Sequence, residues 1–141
     1  MKPIQITIPG LPVSQPRQRH AIIAGRTVNY TPSNHPVQSF KSLCRLVASQ
    51  QVPRPLAGPV EVEIAFYFQR PASKIWKTRP MPAEVKTSKP DLDNLAKAVM
   101  DSLNGVCWID DAQVCRIVLS KWIVAGGDPV CTVVKIEEVI Q

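Results

Sequence analysis

Apolar and polar residues alternate along two stretches of the chain, and this alternation predicts two β-strands. Isoleucine occupies every second position from Ile4 to Ile8 within residues 3–8. In residues 60–69, Val, Ile and Phe again fill every second position. Because successive side chains of a strand point to opposite faces, each stretch has one apolar face for a core.

Two other stretches have the spacing of helices. In residues 35–50 the apolar residues recur every three or four positions, which predicts an amphipathic helix. A second apolar stripe begins after Pro90, and Asn104 and Gly105 are a good stop for the helix that it predicts. The stripe consists of Leu92, Leu95, Val99 and Leu103.

Two further strands are predicted at residues 115–125 and 130–138, with a Gly-Gly-Asp-Pro segment between them that is typical of a hairpin turn. Residues 70–90 are a long connection with four prolines, six basic residues and one acidic residue. Loops of this length are usually functional or mobile. The order of elements predicts an α+β fold, with a mixed β-sheet and helices packed on it, in a single domain over residues 1–141.

The chain is basic for its size. Of its 141 residues, 17 are Lys or Arg and 11 are Asp or Glu, which gives a net charge of +6 and an isoelectric point near 9.4. Such a surplus favours a polyanionic partner, most often nucleic acid. Charge alone is equally compatible with a basic protein that has no such partner.

The sequence indicates a cytoplasmic protein that is not held in a membrane. No apolar run approaches the ~20 residues of a transmembrane helix, and the N-terminus lacks the apolar stretch of a signal peptide. The cysteines are scattered, without a Cys-x-x-Cys pair, which argues against zinc and favours small core residues in a reducing compartment. They are Cys44, Cys107, Cys115 and Cys131.

Two pairs of acidic residues are the candidates for a functional site. Asp91 and Asp93 directly follow Pro90 at the predicted helix start, and Asp110 and Asp111 come about twenty residues later. Helix capping is one interpretation of the first pair. If the helix folds back on the next strand, however, three or four carboxylates converge, and such a cluster is costly without a cation. Oxygen ligands without His or Cys favour Mg²⁺ or Mn²⁺, which in a basic protein suits phosphodiester hydrolysis.

Lys97 lies four residues after Asp93 and four before Asp101, so the three side chains share one helix face. Ordinary salt bridges are one interpretation of this spacing. The other is that Lys97 reaches a phosphate or orients the attacking water.

These motifs resemble the RusA family of Holliday junction resolvases, which is common in prophages and their hosts. The family pattern is Asp-x-Asp-Asn-x-x-Lys-x-x-x-Asp-x-Leu followed, after a short gap, by Asp-Asp-x-Gln-Val. The segments KPDLDNLAKAVMDSLNG and WIDDAQV match it at every fixed position within residues 89–114. The proline-rich basic segment PGLPVSQPRQR near the N-terminus is looser support.

The resemblance implies a homodimeric, Mg²⁺-dependent endonuclease, with Mn²⁺ as a substitute ion. Such an enzyme resolves four-way DNA junctions by paired symmetric nicks, in recombination and repair, in the cytoplasm of a bacterium or a phage-infected host cell. By the resemblance, the metal ligands are Asp91, Asp93 and Asp111, and Lys97 is a further catalytic residue. A four-way junction has near two-fold symmetry, so a two-fold dimer also suits the substrate.

Basic residues of residues 9–20 and of the 70–90 loop are the candidates for contacts with DNA phosphates. They are Arg17, Arg19, Lys74, Lys77, Arg79, Lys86 and Lys89. Each one alone is more typical of a solvated surface charge, whereas the cluster in the loop favours DNA binding. Trp76 either stacks on an unpaired base or pins the loop to the domain.

Two other kinds of function compete with this interpretation. A module that binds branched DNA without cutting it would keep the basic surface but would not need Asp91, Asp93 and Asp111 together. A phosphatase or glycosyltransferase with an Asp-x-Asp motif fits less well. The residues before the motif are Lys-Thr-Ser-Lys-Pro rather than a buried apolar strand.

Overall fold

The computed structural model describes residues 3–16, 19–32, 34–76 and 80–140. These residues form seven strands, two α-helices and two short 3-10 turns. The strands are β1 (Ile4–Pro9), β2 (Arg19–Ile23), β3 (Arg26–Tyr30), β4 (Val60–Phe68), β5 (Glu84–Val85), β6 (Val114–Ile123) and β7 (Cys131–Glu138). The helices are α1 (Pro36–Gln51) and α2 (Leu92–Leu103), and the 3-10 turns are Ala72–Lys74 and Asp111–Gln113.

Strand β4 is the centre of a five-stranded mixed sheet with the order β1-β7-β4-β6-β5. It pairs parallel with β6 and antiparallel with β7. A parallel pair requires a crossover connection, and α2 lies on that connection. The predicted α+β fold, with a mixed sheet and packed helices, is confirmed.

The core lies between the two helices and one face of the sheet. The alternating apolar residues of β4 are buried from Val60 to Phe68, together with residues of both helices such as Cys44 and Leu95. Trp108, which follows α2, is fully buried as well. Burial of these large side chains fixes α2 and the segment after it against the sheet.

Two of the cysteines behave as the sequence predicted. Cys44 and Cys107 are buried, and burial raises the pKa of each thiol to about 12. Both thiols therefore stay protonated at neutral pH and pack as small apolar groups.

The predicted hairpin between the last two strands is wrong. Strands β6 and β7 pair with opposite edges of β4, so β4 lies between them. The connection starts across the end of β4, where Val124 N donates to Phe68 O at 2.9 Å, and Gly127 has a positive φ of 86°. The predicted residues do form a turn, but this turn takes the chain across the end of β4 rather than back along β6. The α2 crossover has already placed β6 parallel to β4.

A hairpin that the sequence analysis missed follows the N-terminal loop. Strands β2 and β3 pair antiparallel in a sheet of their own, joined by Ala24 and Gly25. Both joining residues have positive φ, 52° and 77°, as in two-residue hairpin turns. Every residue of β3 is exposed, so this hairpin projects from the core rather than contributing to it.

The described residues of the 70–90 segment, 70–76 and 80–90, include a strand and are bonded to the sheet. Its strand β5 pairs with the end of β6 and forms one edge of the sheet. Arg70 is buried and donates to the carbonyl oxygens of Lys74, Pro82 and Val124 at 2.9–3.0 Å. Because one guanidinium bonds Lys74, Pro82 and Val124, the described residues on both sides of the segment are held close to the core.

None of the helices in the described residues is long and apolar enough to cross a membrane.

Candidate active site

Asp91 and Asp93 stand at the first turn of α2. Asp91 is the N-cap residue, with an extended backbone, and Leu95 N donates to its carbonyl oxygen at 3.2 Å. Within the described chain, its carboxylate makes no capping hydrogen bond. Both aspartates are exposed. Simple capping therefore does not account for the pair, and both carboxylates face solvent at the positive end of the helix dipole.

Asp111 is held in a different way. Trp108 donates from Nε1 to Asp111 Oδ1 at 2.8 Å, and Asp111 is half-buried. Gln113 donates from Nε2 to the carbonyl oxygens of Leu56 and Gly58 at 2.8 and 2.9 Å, and its Oε1 accepts from Asp110 N at 2.8 Å. The indole orients the carboxylate, and the glutamine ties its turn to the segment before β4.

The sequence analysis assigned no role to Trp108 or Gln113. Both belong to the WIDDAQV segment, so their presence beside the second acidic pair was the available signal.

Lys97 forms the i,i+4 pair that its spacing allowed, with Asp101 rather than with Asp93. Lys97 Nζ lies 3.8 Å from Asp101 Oδ2, and Lys41 of α1 lies 3.7 Å from the same oxygen. The Lys97 side chain is 57% exposed. An ion pair this long and this exposed contributes little to stability, so Lys97 can exchange it for a phosphate at small cost.

Lys121 is a second lysine near the site, and sequence reasoning missed it. From β6 it donates to the carbonyl oxygens of Ser88 and Pro90, each at 2.8 Å. These carbonyls stand immediately before Asp91, so Lys121 ties the entry to α2 to the end of the sheet. A lone lysine in a largely apolar strand was the only signal of this role in the sequence.

A family model of the endodeoxyribonuclease RusA matches residues 9–137. The chain belongs to the RusA family. It is also 34% identical over 125 residues to the uncharacterized protein YqaN of Bacillus subtilis (strain 168), an alignment that covers 84% of this chain and 87% of YqaN. RusA-family enzymes are nucleases that act on branched DNA junctions, and they generally use a divalent metal.

The donor chemistry of this RusA-family chain suits such a metal. Mg²⁺ is held by oxygen ligands and often takes only one or two protein carboxylates beside several waters. Asp91 and Asp93 meet that need at the start of α2. Among the described residues, however, no group of three or more His, Cys, Asp or Glu side chains lies close enough together to hold a metal ion. The expected convergence of the two acidic pairs does not occur within one described chain.

The residues predicted to contact DNA have mixed surroundings. Lys74 Nζ pairs with Glu84 at 3.2 Å, and Lys86 donates to Ser88 Oγ at 2.8 Å. Lys89 is exposed beside Pro90, and Arg19 contributes its backbone to β2. The remaining three residues, Arg17, Lys77 and Arg79, lie outside the described part of the chain.

Trp76 contacts protein in this structure. The Arg70 guanidinium lies 5.6 Å from the centre of its ring, and its backbone N–H approaches the Met81 sulfur at 3.1 Å. Both contacts are of the kind expected if Trp76 pins the loop to the domain.

Proposed function

We propose that this RusA-family chain is a Mg²⁺-dependent endonuclease, with Mn²⁺ as a substitute ion, that resolves four-way DNA junctions by paired symmetric nicks. The observation that carries the proposal is the exposed pair of Asp91 and Asp93 at the start of α2, in a chain that matches the family over residues 9–137. Two exposed carboxylates at one helix start, where Asp91 makes no capping bond within the described chain, suit metal binding better than they suit fold stability.

The chain's own residues divide the work of the reaction. Asp91 and Asp93 would hold the metal at the start of α2, and Asp111, which does not join them in a metal-binding group within the described chain, is the third ligand that the family pattern implies. When bound, the metal activates water and offsets charge on the scissile phosphate. Trp108 keeps the Asp111 carboxylate oriented, as an outer partner of a metal ligand commonly does. Lys97 is exposed on the same helix and supplies positive charge toward the phosphate.

The proposal also covers the domain organisation, the oligomeric state and the location of the enzyme. We propose that residues 1–141 act as one nuclease domain, which is supported by a single buried cluster that joins β1, α1, β4, α2 and β7. Two opposed cuts in a two-fold symmetric junction favour a homodimer. The substrates, which are intermediates of recombination and repair, occur in the cytoplasm of a bacterium or a phage-infected host, and we expect the enzyme there.

Isosteric substitutions test this function. Asp91→Asn, Asp93→Asn and Asp111→Asn should each abolish nicking of a synthetic four-way junction, because each removes an anionic metal ligand. Junction binding should persist or tighten, since a negative charge near phosphate is removed. Asp128→Asn, in the exposed connection before β7, is the matched control and should cut normally.

Two results would contradict the proposal. A ligand variant that cuts at the wild-type rate removes that residue from the site. A wild-type protein that binds the junction with Mg²⁺ but never cuts it is a branched-DNA-binding module instead.

A further inference from the structure

A cluster of three charged side chains joins the two helices. Asp101 Oδ2 of α2 lies 3.8 Å from Lys97 Nζ and 3.7 Å from Lys41 Nζ of α1, so one carboxylate oxygen faces two ammonium groups. Two positive charges against one negative charge leave the cluster with a net charge of +1. Because one lysine is enough to neutralise the carboxylate, the other lysine is in surplus.

The two lysines of the cluster differ in their exposure to solvent. The Lys41 side chain is 14% exposed, whereas the Lys97 side chain is 57% exposed. Opposite charges attract each other more strongly where water is partly excluded. Lys41 is therefore the stronger partner of Asp101, and Lys97 is the lysine that can leave.

The geometry of α2 favours the departure of Lys97 from Asp101. Helical side chains lean toward the N-terminus of their helix. An acid four residues before a lysine also makes a better pair than an acid four residues after it. Asp101 follows Lys97, whereas Asp93 precedes it by four residues. Once released, Lys97 therefore extends toward the start of α2, where Asp91 and Asp93 stand.

We infer that Lys41 is a positioning residue for the reaction, because it holds Asp101 and so releases Lys97 toward the phosphate. The inference rests on the proposed nuclease function and deepens it, since it adds a residue of α1 to the residues that act at the start of α2. Lys41 acts through Asp101 and does not contact the substrate. Without Lys41, Asp101 would be neutralised by Lys97 and would hold that lysine away from the DNA.

A purely structural role for Lys41 is the competing interpretation. Its pair with Asp101 joins α1 to α2, and the loss of this pair would lower the melting temperature. A structural role alone predicts that the variant protein, once folded, nicks at the wild-type rate. Rates measured well below the melting temperature therefore separate the two interpretations.

Lys41→Met tests the inference in single-turnover nicking of a four-way junction. The methionine keeps the apolar stem of the side chain and removes its charge. The rate should fall about threefold to fivefold, which is the effect of one partly exposed ion pair that must break before Lys97 can act. Junction affinity should stay within about twofold of wild type. Lys41→Arg, which keeps the charge, should restore most of the rate.

A double variant gives the sharpest test of the inference. Lys41→Met combined with Asp101→Asn should nick as fast as Asp101→Asn alone, because no carboxylate remains to hold Lys97. The second substitution should therefore repair the defect of the first. A double variant as slow as Lys41→Met would overturn the inference, and so would a wild-type rate in Lys41→Met.

Arg45→Met is the matched control. Arg45 lies one turn further along α1, is exposed, and carries the same charge as Lys41. Its loss should leave the nicking rate unchanged. If Arg45→Met and Lys41→Met lose activity equally, the effect comes from the charge of α1 and not from Asp101, and the inference is wrong.

Acetylation of Lys97 gives a readout that does not depend on cutting. Sulfosuccinimidyl acetate modifies a lysine amine faster when no ion pair holds it, and peptide mass spectrometry compares Lys97 with the exposed Lys135. Acetylation of Lys97 should slow about threefold in Lys41→Met and recover in the double variant. If this pattern occurs in a protein that does not nick junctions, the nuclease proposal fails and the release of Lys97 stands. If the wild type nicks but Lys97 is acetylated equally fast in Lys41→Met, the release is wrong and the nuclease proposal stands.

Discussion

At the scale of single residues, two side chains keep the halves of the proposed site in place. Trp108 orients Asp111 through one hydrogen bond from a fully buried indole. Lys121 holds the backbone before Asp91 through two. Neither residue needs to touch the substrate, so both act by positioning, and their loss should alter metal use more than DNA binding.

Lys121→Met tests this positioning role. The change removes two charge-assisted hydrogen bonds, each of a kind that contributes about 1.5–3 kcal/mol. The Mg²⁺ concentration for half-maximal nicking should rise at least tenfold, whereas junction affinity measured without Mg²⁺ should stay near wild type. Lys121→Arg should restore part of the loss. Lys135→Met, at an exposed position of β7, is the control. If both variants need the same increase in Mg²⁺, the effect of Lys121 comes from its charge alone and not from positioning.

Lys97→Ala separates catalysis from salt bridging. If Lys97 acts on the transition state, the single-turnover rate should fall by about 10²-fold, ~3 kcal/mol, with junction binding little changed. Asp101→Asn removes the other partner of the ion pair and should leave the rate within a few-fold of wild type. Equal thermal destabilisation of the two variants, with no loss of rate in either, would show that the lysine serves the fold alone.

At the scale of elements, the sequence predicted the strands and helices that have one buried apolar face. Strands β1 and β4 and both helices were located because each buries a regular apolar stripe in the core. The β2–β3 hairpin has no such stripe, since it is exposed along β3, and only Ala24-Gly25 marks its turn. Strands β6 and β7 pair with opposite edges of β4. The residues of the turn between them do not determine this pairing, because it depends on contacts with a strand that is distant in sequence.

The same limit applies to the site. The two motifs identified the acidic residues and Lys97, because spacing within a helix or turn is local. Lys121 was missed because its partners are 31 and 33 residues away in sequence. The separation of Asp111 from Asp91 was also invisible, since it depends on how α2 and β6 pack.

The β2–β3 hairpin is expected to contact DNA. Residues 1–60 contain seven Lys or Arg and no acidic residue, so the basic surplus of the chain lies in this half. A two-stranded ribbon also fits the major groove of B-DNA. Arg26→Gln, at the exposed start of β3, should weaken junction binding several-fold. It should also flatten the log–log salt dependence of binding by about 0.9 for each DNA phosphate that the variant no longer neutralises.

Arg116→Gln is the matched control for the hairpin. It removes the same charge from β6, where Arg116 lies 3.9 Å from Glu61. Fluorescence anisotropy across a salt series compares the two variants. If affinity falls with salt concentration equally steeply in the two variants, the hairpin contributes only its charge and makes no special contact with DNA.

At the scale of the whole molecule, the acidic residues are confined to one part of the chain, whereas basic residues occur throughout. The charged side chains of the first sixty residues are all basic, and all eleven acidic residues follow. The acidic pairs at the two ends of α2 and β6 are therefore set in a chain whose other half attracts polyanions.

The most direct test of the central claim is cleavage of a labelled synthetic four-way junction beside a linear duplex of the same sequence, with and without Mg²⁺. We expect paired, symmetric nicks in the junction that depend on Mg²⁺, with the linear duplex left intact. Equal cutting of junction and duplex, or binding of both without any cutting, would contradict the account of this chain as a junction-resolving member of the RusA family.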